Sequence, residues 1–126
     1  MAGITLRGLS KRFGAGEADV AAVDDLDLEI KDNSFVTLLG PSGCGKTTTL
    51  RLIAGYITPD RGTIEVDGRP LSSPAAVVPP EARGIGMVFQ NYAVWPHKNV
   101  FQNVVFGLKL RKIPSAEARR KVEETL

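Results

Sequence analysis

The stretch LLGPSGCGKTTTLRLIAG, residues 38–55, decides the fold of this chain. It joins an apolar run to a helix-like pattern through a turn that contains three glycines and one lysine. Residues Gly40 to Thr47 match the pattern G-x-x-x-x-G-K-[ST] in its required context between a strand and a helix. Glycines permit the unusual dihedral angles that turn successive N–H groups inward, where they can hold phosphate oxygens at a helix start. The stretch therefore predicts a site for a nucleoside triphosphate.

The loop supplies both a cation and a metal ligand. Lys46 places its charge at the β- and γ-phosphates, and the Thr47 hydroxyl can complete the octahedral shell of a Mg²⁺ ion that bridges them. A glycine-rich turn without a ligand is the alternative, but a lysine at a helix start is electrostatically unfavourable unless an anion compensates it. The candidate nucleotide-binding residues in the loop are Gly40, Pro41, Ser42, Gly43, Cys44, Gly45, Lys46, Thr47 and Thr48.

The only cysteine, Cys44, lies inside this loop. A thiol close to a helix start and to Lys46 suggests a catalytic nucleophile. No second cysteine or general base accompanies it, however, and nucleophilic catalysis needs an activating partner. We therefore expect Cys44 to have no catalytic role and to be sensitive to thiol reagents.

Composition and charge favour one soluble globular domain. The 126 residues are 43% hydrophobic and 24% charged, which suffices for one modest core. Basic and acidic side chains are interspersed with a net charge of +2, so we expect no bulk binding of nucleic acid. A lone cysteine fits a reducing, cytosolic compartment. No apolar run approaches the roughly 18 residues that span a bilayer, so we expect any membrane association to be peripheral.

Hydrophobic periodicity predicts an α/β fold. Residues Ile4–Leu9 and Leu26–Ile30 alternate with a period of two, which is typical of half-solvated antiparallel strands. The nearly unbroken apolar run Phe35–Leu39 instead predicts a strand that is covered on both faces in a parallel sheet. Residues Thr63–Val66 and Gly86–Phe89 are predicted to form further strands.

The predicted helices flank these strands. After the glycine-rich turn, Leu50, Ile53 and Ala54 share one face of a helix that Gly55 can end. The proline- and serine-rich segment 69–84 predicts a loop.

Two more helices are predicted near the end of the sequence. Asn99 and Gln102 have the spacing of a capping box for a helix from Val100 to about Arg111. Ser115 is the predicted cap of a last polar helix, Ala116–Leu126.

Four segments in order resemble the N-terminal half of an ATP-binding cassette (ABC) transporter nucleotide-binding subunit. They are LRGLSKRFG (6–14), AAVDDLDLEI (21–30), GPSGCGKTTTLRLIAGYITPDRGTIEVDG (40–68) and IGMVFQNYAVWPHKNVFQNVVFGLKLRK (85–112). The resemblance covers essentially the whole chain. It implies a P-loop NTPase fold of ABC type, incomplete here, with a parallel core, an antiparallel β-subdomain and the start of a helical subdomain.

The resemblance implies roles for two residues outside the loop. Phe13 would stack on adenine; its alternative is a core aromatic. Gln90 would be the Q-loop glutamine that touches Mg²⁺ or the attacking water; its alternative is an ordinary polar residue at a strand end. Lys46 and Gln90 are thus the candidate catalytic residues, and Thr47 and Gln90 the candidate Mg²⁺ ligands, for binding and hydrolysis of ATP.

The segment YAVWPHKNV, residues 92–100, is most similar to importer ATPases of the sugar, polyamine and ferric-iron type. There, this region forms part of a cleft for a permease helix. The resemblance implies an integral-membrane permease partner at Gln90–Val100, with Tyr92, Trp95 and Pro96 lining the cleft, although Trp95 could equally be simply packed. It also implies a homodimer of nucleotide-binding domains when full length, on the cytoplasmic face of the membrane. We expect His97 to be a loop residue and not the family's switch histidine.

Several family motifs do not occur in residues 1–126. Val20–Asp24 superficially matches a Walker B strand, but it precedes the phosphate loop and leads into an alternating strand. The signature, Walker B and H-loop motifs are absent, so we expect these residues to be one part of a nucleotide-binding domain, inactive alone. The alternatives are a small self-standing nucleotide-binding or interaction module and a soluble ABC protein. The transported solute is not indicated by the sequence.

Overall fold

The computed structural model describes residues 3–14 and 19–126. The chain divides into two units, Met1–Met87 and Val88–Leu126, which are described separately below.

The first unit is built on a four-stranded antiparallel sheet. Its strands are β1 (Ile4–Phe13), β2 (Val20–Ile30), β3 (Arg61–Val66) and β4 (Arg69–Ser72), in the order β2-β1-β3-β4. Each strand pairs antiparallel with its neighbours, as the period-two pattern predicted for the first two. The segment that imitates a Walker B strand lies within β2, and its Asp24 is exposed.

Helix α1, Lys46–Ala54, packs its apolar face into the core of this sheet. Leu52 and Ile53 join five buried residues of the strands: Leu6, Leu9, Val23, Ile64 and Leu71. Leu50, which the sequence analysis placed on the same helix face as Ile53 and Ala54, is about half exposed. The buried side chains of α1 start one residue earlier, at Thr49, and recur three and four residues later, as one face of a helix requires.

Two predicted strands, Phe35–Leu39 of a parallel sheet and Gly86–Phe89, are not strands in the structure. Residues 34–41 and 85–89 lie outside any strand or helix in the part of the chain that the structure describes. Phe35 and Leu39 are each 95% exposed, and Val88 is almost as exposed. An apolar run becomes a buried strand only when neighbouring strands cover it, and within the described ranges these segments have no such neighbours.

The segment predicted as the loop 69–84 is more ordered than its composition indicates. It contains β4, a short 3₁₀ turn at Pro80–Ala82 and an isolated bridge between Ser72 and Val77. Pro70 is tolerated in β4 because that strand is at the edge of the sheet. Arg83, next to the turn, is buried.

The second unit contains helices α2, Val100–Leu110, and α3, Ser115–Thr125. The predicted capping box is confirmed, since the Gln102 N–H donates to Asn99 Oδ1 (2.8 Å) and the Asn99 N–H donates to Gln102 Oε1 (3.0 Å). Ser115 is not the cap of α3 but its first residue. Pro114 takes the cap position, and Ser115 lies in the first turn of the helix. The small core of the unit consists of Val105, Ala118 and Val122.

Asp60 ties the end of β1 to the start of β3. Its carboxylate accepts hydrogen bonds from Lys11 Nζ (2.8 Å) and from the Arg12 N–H (2.7 Å), and its own N–H donates to the Ser10 carbonyl (2.9 Å). The Lys11 hydrogen bond, followed by that of the Arg12 amide, lowers the pKa of Asp60. The Asp60 charge therefore stabilises the strand end that carries Phe13.

We predict that Asp60→Asn lowers the melting temperature of the protein at pH 7 and leaves it nearly unchanged in acid. Because the folded-state pKa lies below the unfolded value of about 3.9, the stabilisation is complete above that value and is lost as the pH falls through the folded pKa. Thermal unfolding followed by circular dichroism at several pH values measures the difference. Glu81→Gln, which changes an exposed carboxylate, is the control. A difference between Asp60→Asn and the unmodified protein that persists to about pH 2 would contradict this role.

Candidate functional site

The glycine-rich loop has the backbone geometry that the sequence predicted. Gly43 and Gly45 adopt left-handed φ angles of 83° and 88°, a region that side chains disfavour. At Gly45 an added Cβ would also collide with the carbonyl oxygen of Ala22 on β2. The loop can thus lie directly against the sheet only because Gly45 has no side chain.

The start of α1 presents free donor groups to this loop. The first helical hydrogen bond runs from the Thr49 N–H to the Gly45 carbonyl (2.8 Å), so the N–H groups of Lys46, Thr47 and Thr48 precede the helical ladder. In the part of the chain that the structure describes, no side chain caps this end. The first turn also has no acidic residue, although an acidic residue would offset the positive end of the helix dipole. The arrangement suits an anionic ligand.

Lys46 points back across the loop. Its Nζ donates to the carbonyl oxygens of Gly40 and Pro41, both at 2.6 Å, and lies 3.3 Å from Cys44 Sγ. The ammonium group therefore lies against the backbone of the loop. A cation on the loop and free N–H donors at the start of α1 are together suited to bind phosphate oxygens.

Phe13 is the last residue of β1 and is 46% exposed. It is not a core aromatic, the alternative considered from the sequence. Lys11 Nζ lies 5.6 Å from the centroid of its ring, within the range of a cation–π contact. An exposed, flat side chain at a strand end can accept a purine ring, and its stacking on adenine stays a prediction.

Gln90 and its neighbours form a strained turn in the second unit. Residues 90–93 are a turn, and Tyr92 and Ala93 both have left-handed φ angles, 60° and 49°. Such conformations cost about 1 to 3 kcal/mol each for residues other than glycine and cluster at functional sites. Tyr92 is 83% exposed, and Gln90 is exposed as well. Gln90 belongs to the second unit and the glycine-rich loop to the first, so the contact of Gln90 with a metal ion stays a prediction.

Trp95 is packed on α2, although part of it is exposed. Its ring centroid lies 4.3 Å from that of Phe106, and the two rings are tilted by 55°. Lys98 Nζ lies 4.1 Å from the Trp95 centroid and 4.2 Å from the Phe106 centroid. Pro96 and His97 are exposed turn residues, as expected for His97.

Asn103 holds this segment in place, a role that the sequence reasoning missed. Its Oδ1 accepts a hydrogen bond from the Trp95 N–H (2.9 Å), and its Nδ2 donates to the carbonyl oxygens of Trp95, Lys98 and Asn99 at 3.0–3.3 Å. One signal was available, since asparagine disfavours helix interiors unless its side chain bonds the backbone. The conformation of residues 95–99 therefore depends on one amide of α2.

Comparison with known proteins places this geometry in a family. The family model described as ABC transporter matches residues 23–126. The chain belongs to the ABC transporter family. Two dimeric cassette structures of MJ0796, each aligned over 96% of this chain and 54% of the other chain, confirm the incomplete α/β fold of ABC type. One, a bacterial ABC transporter cassette, has a TM-score of 0.80 at 27% identity; the other, in a post-hydrolysis state with ADP and Pi, has 0.76 at 23%.

Curated relatives of this ABC chain are import ATP-binding proteins. The spermidine/putrescine import protein PotA of Thermobifida fusca is 47% identical over 98% of this chain and 31% of its own length. The trehalose/maltose import protein MalK of Thermococcus litoralis is 49% identical, and the Fe(3+) import protein FbpC of Vibrio cholerae is 47% identical, each over 98% of this chain and 33% of its own length. The chain thus spans about a third of the length of the curated relatives it matches.

The ABC chain has no helix in the described ranges that is long and apolar enough to cross a membrane.

We predict that N-ethylmaleimide modifies Cys44 and that saturating MgATP slows the reaction. Cys44 is exposed, and its Sγ lies beside Lys46 Nζ at the centre of the candidate phosphate site. Because it is the only cysteine, mass spectrometry of the intact protein measures the reaction directly. The control is Lys46→Ala, in which MgATP should no longer protect the thiol. Equal labelling rates with and without MgATP would show that the nucleotide does not occupy this loop.

Proposed function

We propose that this chain carries the MgATP site of an ABC importer ATPase, whose hydrolysis of ATP powers uptake of a solute. The observation that carries the proposal is the loop geometry: two left-handed glycines lead into an uncapped helix start, and Lys46 lies against the same loop. The import functions named for relatives at 47–49% identity support the importer class. Their named solutes differ, so the proposal extends to the ATPase and not to one solute.

The oxygens of a bound triphosphate would lie where the loop already presents hydrogen-bond donors. The N–H groups at the start of α1 would donate to the phosphates, and Lys46 Nζ would exchange its weakest contact, to Cys44 Sγ at 3.3 Å, for a phosphate oxygen. The residues present fit a Mg²⁺ ion, because Thr47 offers a hydroxyl oxygen on the first turn beside the phosphates, and Mg²⁺ prefers oxygen ligands. When bound, the ion would neutralise charge that develops on the transferred phosphoryl group. Gln90 would be its second protein ligand.

The proposed permease surface is the segment Gln90–Val100. Tyr92 and Pro96 are exposed, and Trp95 is partly exposed and held rigidly by Phe106 and Asn103. Fixed aromatic side chains make good interface anchors, since little conformational entropy is lost when they are buried. In the whole protein, two nucleotide-binding domains would assemble as a homodimer on the cytoplasmic face of the membrane, peripheral to a permease. The dimeric cassettes that share the fold are a precedent for the assembly.

We predict that Lys46→Ala abolishes useful MgATP binding by the whole gene product. Each lost charge-assisted hydrogen bond is worth about 1.5 to 3 kcal/mol, which corresponds to roughly 10- to 150-fold in affinity. Titration with a fluorescent ATP analogue measures the dissociation constant. The control is Lys31→Ala, which removes an exposed lysine directly after β2 and should leave the constant unchanged. An unchanged constant for Lys46→Ala would rule out the proposed phosphate site.

We predict that Gln90→Ala impairs permease-stimulated ATP turnover more than it impairs MgATP binding. The reason is its location, on the strained turn that leads into the proposed permease surface. Affinity and turnover are compared in membranes or nanodiscs that contain the cognate permease, with Lys31→Ala, an exposed position outside the segment Gln90–Val100, as the control. If Gln90→Ala lost affinity while turnover per bound ATP survived, the glutamine would act in binding and not in coupling.

A further inference from the structure

Arg83 is a buried arginine that bonds to three separate segments of the first unit. Only 6% of the residue is exposed. Its Nε donates to the Val78 carbonyl (2.8 Å), and its Nη1 donates to the carbonyls of Leu52 (3.0 Å) and Ile53 (2.8 Å) at the end of α1. Its Nη2 donates to Ser72 Oγ (2.7 Å) on β4 and, at 3.4 Å, to the Leu71 carbonyl.

The contacts with α1 complete the C-terminal cap of the helix. Gly55 and Tyr56 donate their N–H groups to the carbonyls of Leu52 (3.2 Å) and Arg51 (2.9 Å), which is the Schellman pattern of a helix end. That pattern leaves the Ile53 carbonyl without a partner, and Arg83 supplies one. A cation at this position also stabilises the negative end of the helix dipole.

The site around the guanidinium is formed for arginine specifically. All its hydrogen-bond acceptors are uncharged oxygens, and among the residues that the structure describes it has no carboxylate partner. Burial is the cause that lowers the pKa of Arg83, although the group stays charged near neutrality. At Gly55, where φ is 87°, an added Cβ would collide with the Arg83 side chain. The residue that ends α1 therefore also makes room for the guanidinium.

Helix α1 connects Arg83 to the phosphate loop. The helix has nine residues, so its two ends are about 13 Å apart, and its continuous hydrogen bonds couple the position of one end to that of the other. Its start presents Lys46 and the N–H donors, while its end is fixed to β4 and to Val78 through Arg83. Phosphate binding depends on the position of that start to within about an ångström, since small misplacements of binding groups are costly.

We propose that Arg83 is a positioning residue for the phosphate loop, which it aligns by anchoring the far end of α1 to the edge of the sheet. This role rests on the proposed function, because it concerns the same MgATP site. Arg83 does not touch the nucleotide. Its loss should allow α1 to shift along the sheet, so that the donors at its start no longer match the phosphate oxygens.

The experiment compares Arg83→Met, Arg83→Lys and Ile64→Val in the whole gene product. Methionine keeps the length of the side chain without donors, and lysine keeps the charge on a single nitrogen. Ile64→Val removes one methylene group from the same core and leaves every hydrogen-bond acceptor of Arg83 in place. We expect Arg83→Met to raise the MgATP dissociation constant about tenfold in calorimetric titration, from misplacement of the loop. The dissociation constant of Arg83→Lys should lie between those of Arg83→Met and the unmodified protein. Ile64→Val should leave the constant unchanged.

A second measurement does not require nucleotide. Hydrogen exchange of the amides at residues 45–49 should be about threefold or more faster in Arg83→Met than in Ile64→Val, because a released helix opens more often. A purely structural role predicts lower stability with equal affinity in the folded fraction. If Arg83→Met fails to fold, Arg83→Lys supplies both measurements.

The outcomes separate the two proposals. If the unmodified protein does not bind MgATP, the proposed function is wrong, and the exchange rates alone decide the role of Arg83. If the unmodified protein binds MgATP, and the Arg83 variants match Ile64→Val in both affinity and exchange at 45–49, Arg83 does not position the loop.

Discussion

The position of α1 depends on two glycines that flank it, because each allows a contact that no other residue would permit. Gly45 lets the start of the helix lie against the Ala22 carbonyl of β2, and Gly55 lets the guanidinium of Arg83 reach the end of the helix. Both residues adopt left-handed φ angles, so the chain enters helix α1 through a turn at Gly45 and leaves it through a turn at Gly55. The location of Lys46 and of the donors beside it follows from these contacts. The candidate phosphate site is thus fixed chiefly by backbone packing against the sheet.

Features that are determined locally were predictable from the sequence. The glycine-rich loop, the capping box of Asn99 and Gln102, and the alternation in β1 and β2 each depend on residues that are close together in the chain or on one strand's own pattern. Steric limits on φ and the reach of a short polar side chain are the same in every protein. For these elements the sequence analysis and the structure therefore agree.

Features that depend on distant neighbours were not predictable. Phe35–Leu39 has the composition of a buried strand, yet burial needs adjacent strands that the described residues do not provide. The choice of Leu52 over Leu50 for the core depends on the angle at which α1 meets the sheet. Arg83 acts through hydrogen bonds to backbone carbonyls of distant segments, and such contacts leave no pattern in sequence spacing. The roles of Phe13 and Gln90 also need a ligand or a partner before they can be seen.

The stacked Trp95 has a spectroscopic consequence. It is the only tryptophan in the chain, and it lies in the second unit with its ring on Phe106 and Lys98 close to its face. Tryptophan emission therefore originates from the helical unit alone, and the sheet that carries the phosphate loop is silent at those wavelengths. Because the ring is partly exposed, its emission wavelength and its accessibility to quenchers should change when another molecule covers the segment 90–100. The protein thus has an intrinsic fluorescent probe at the surface that we propose for a permease.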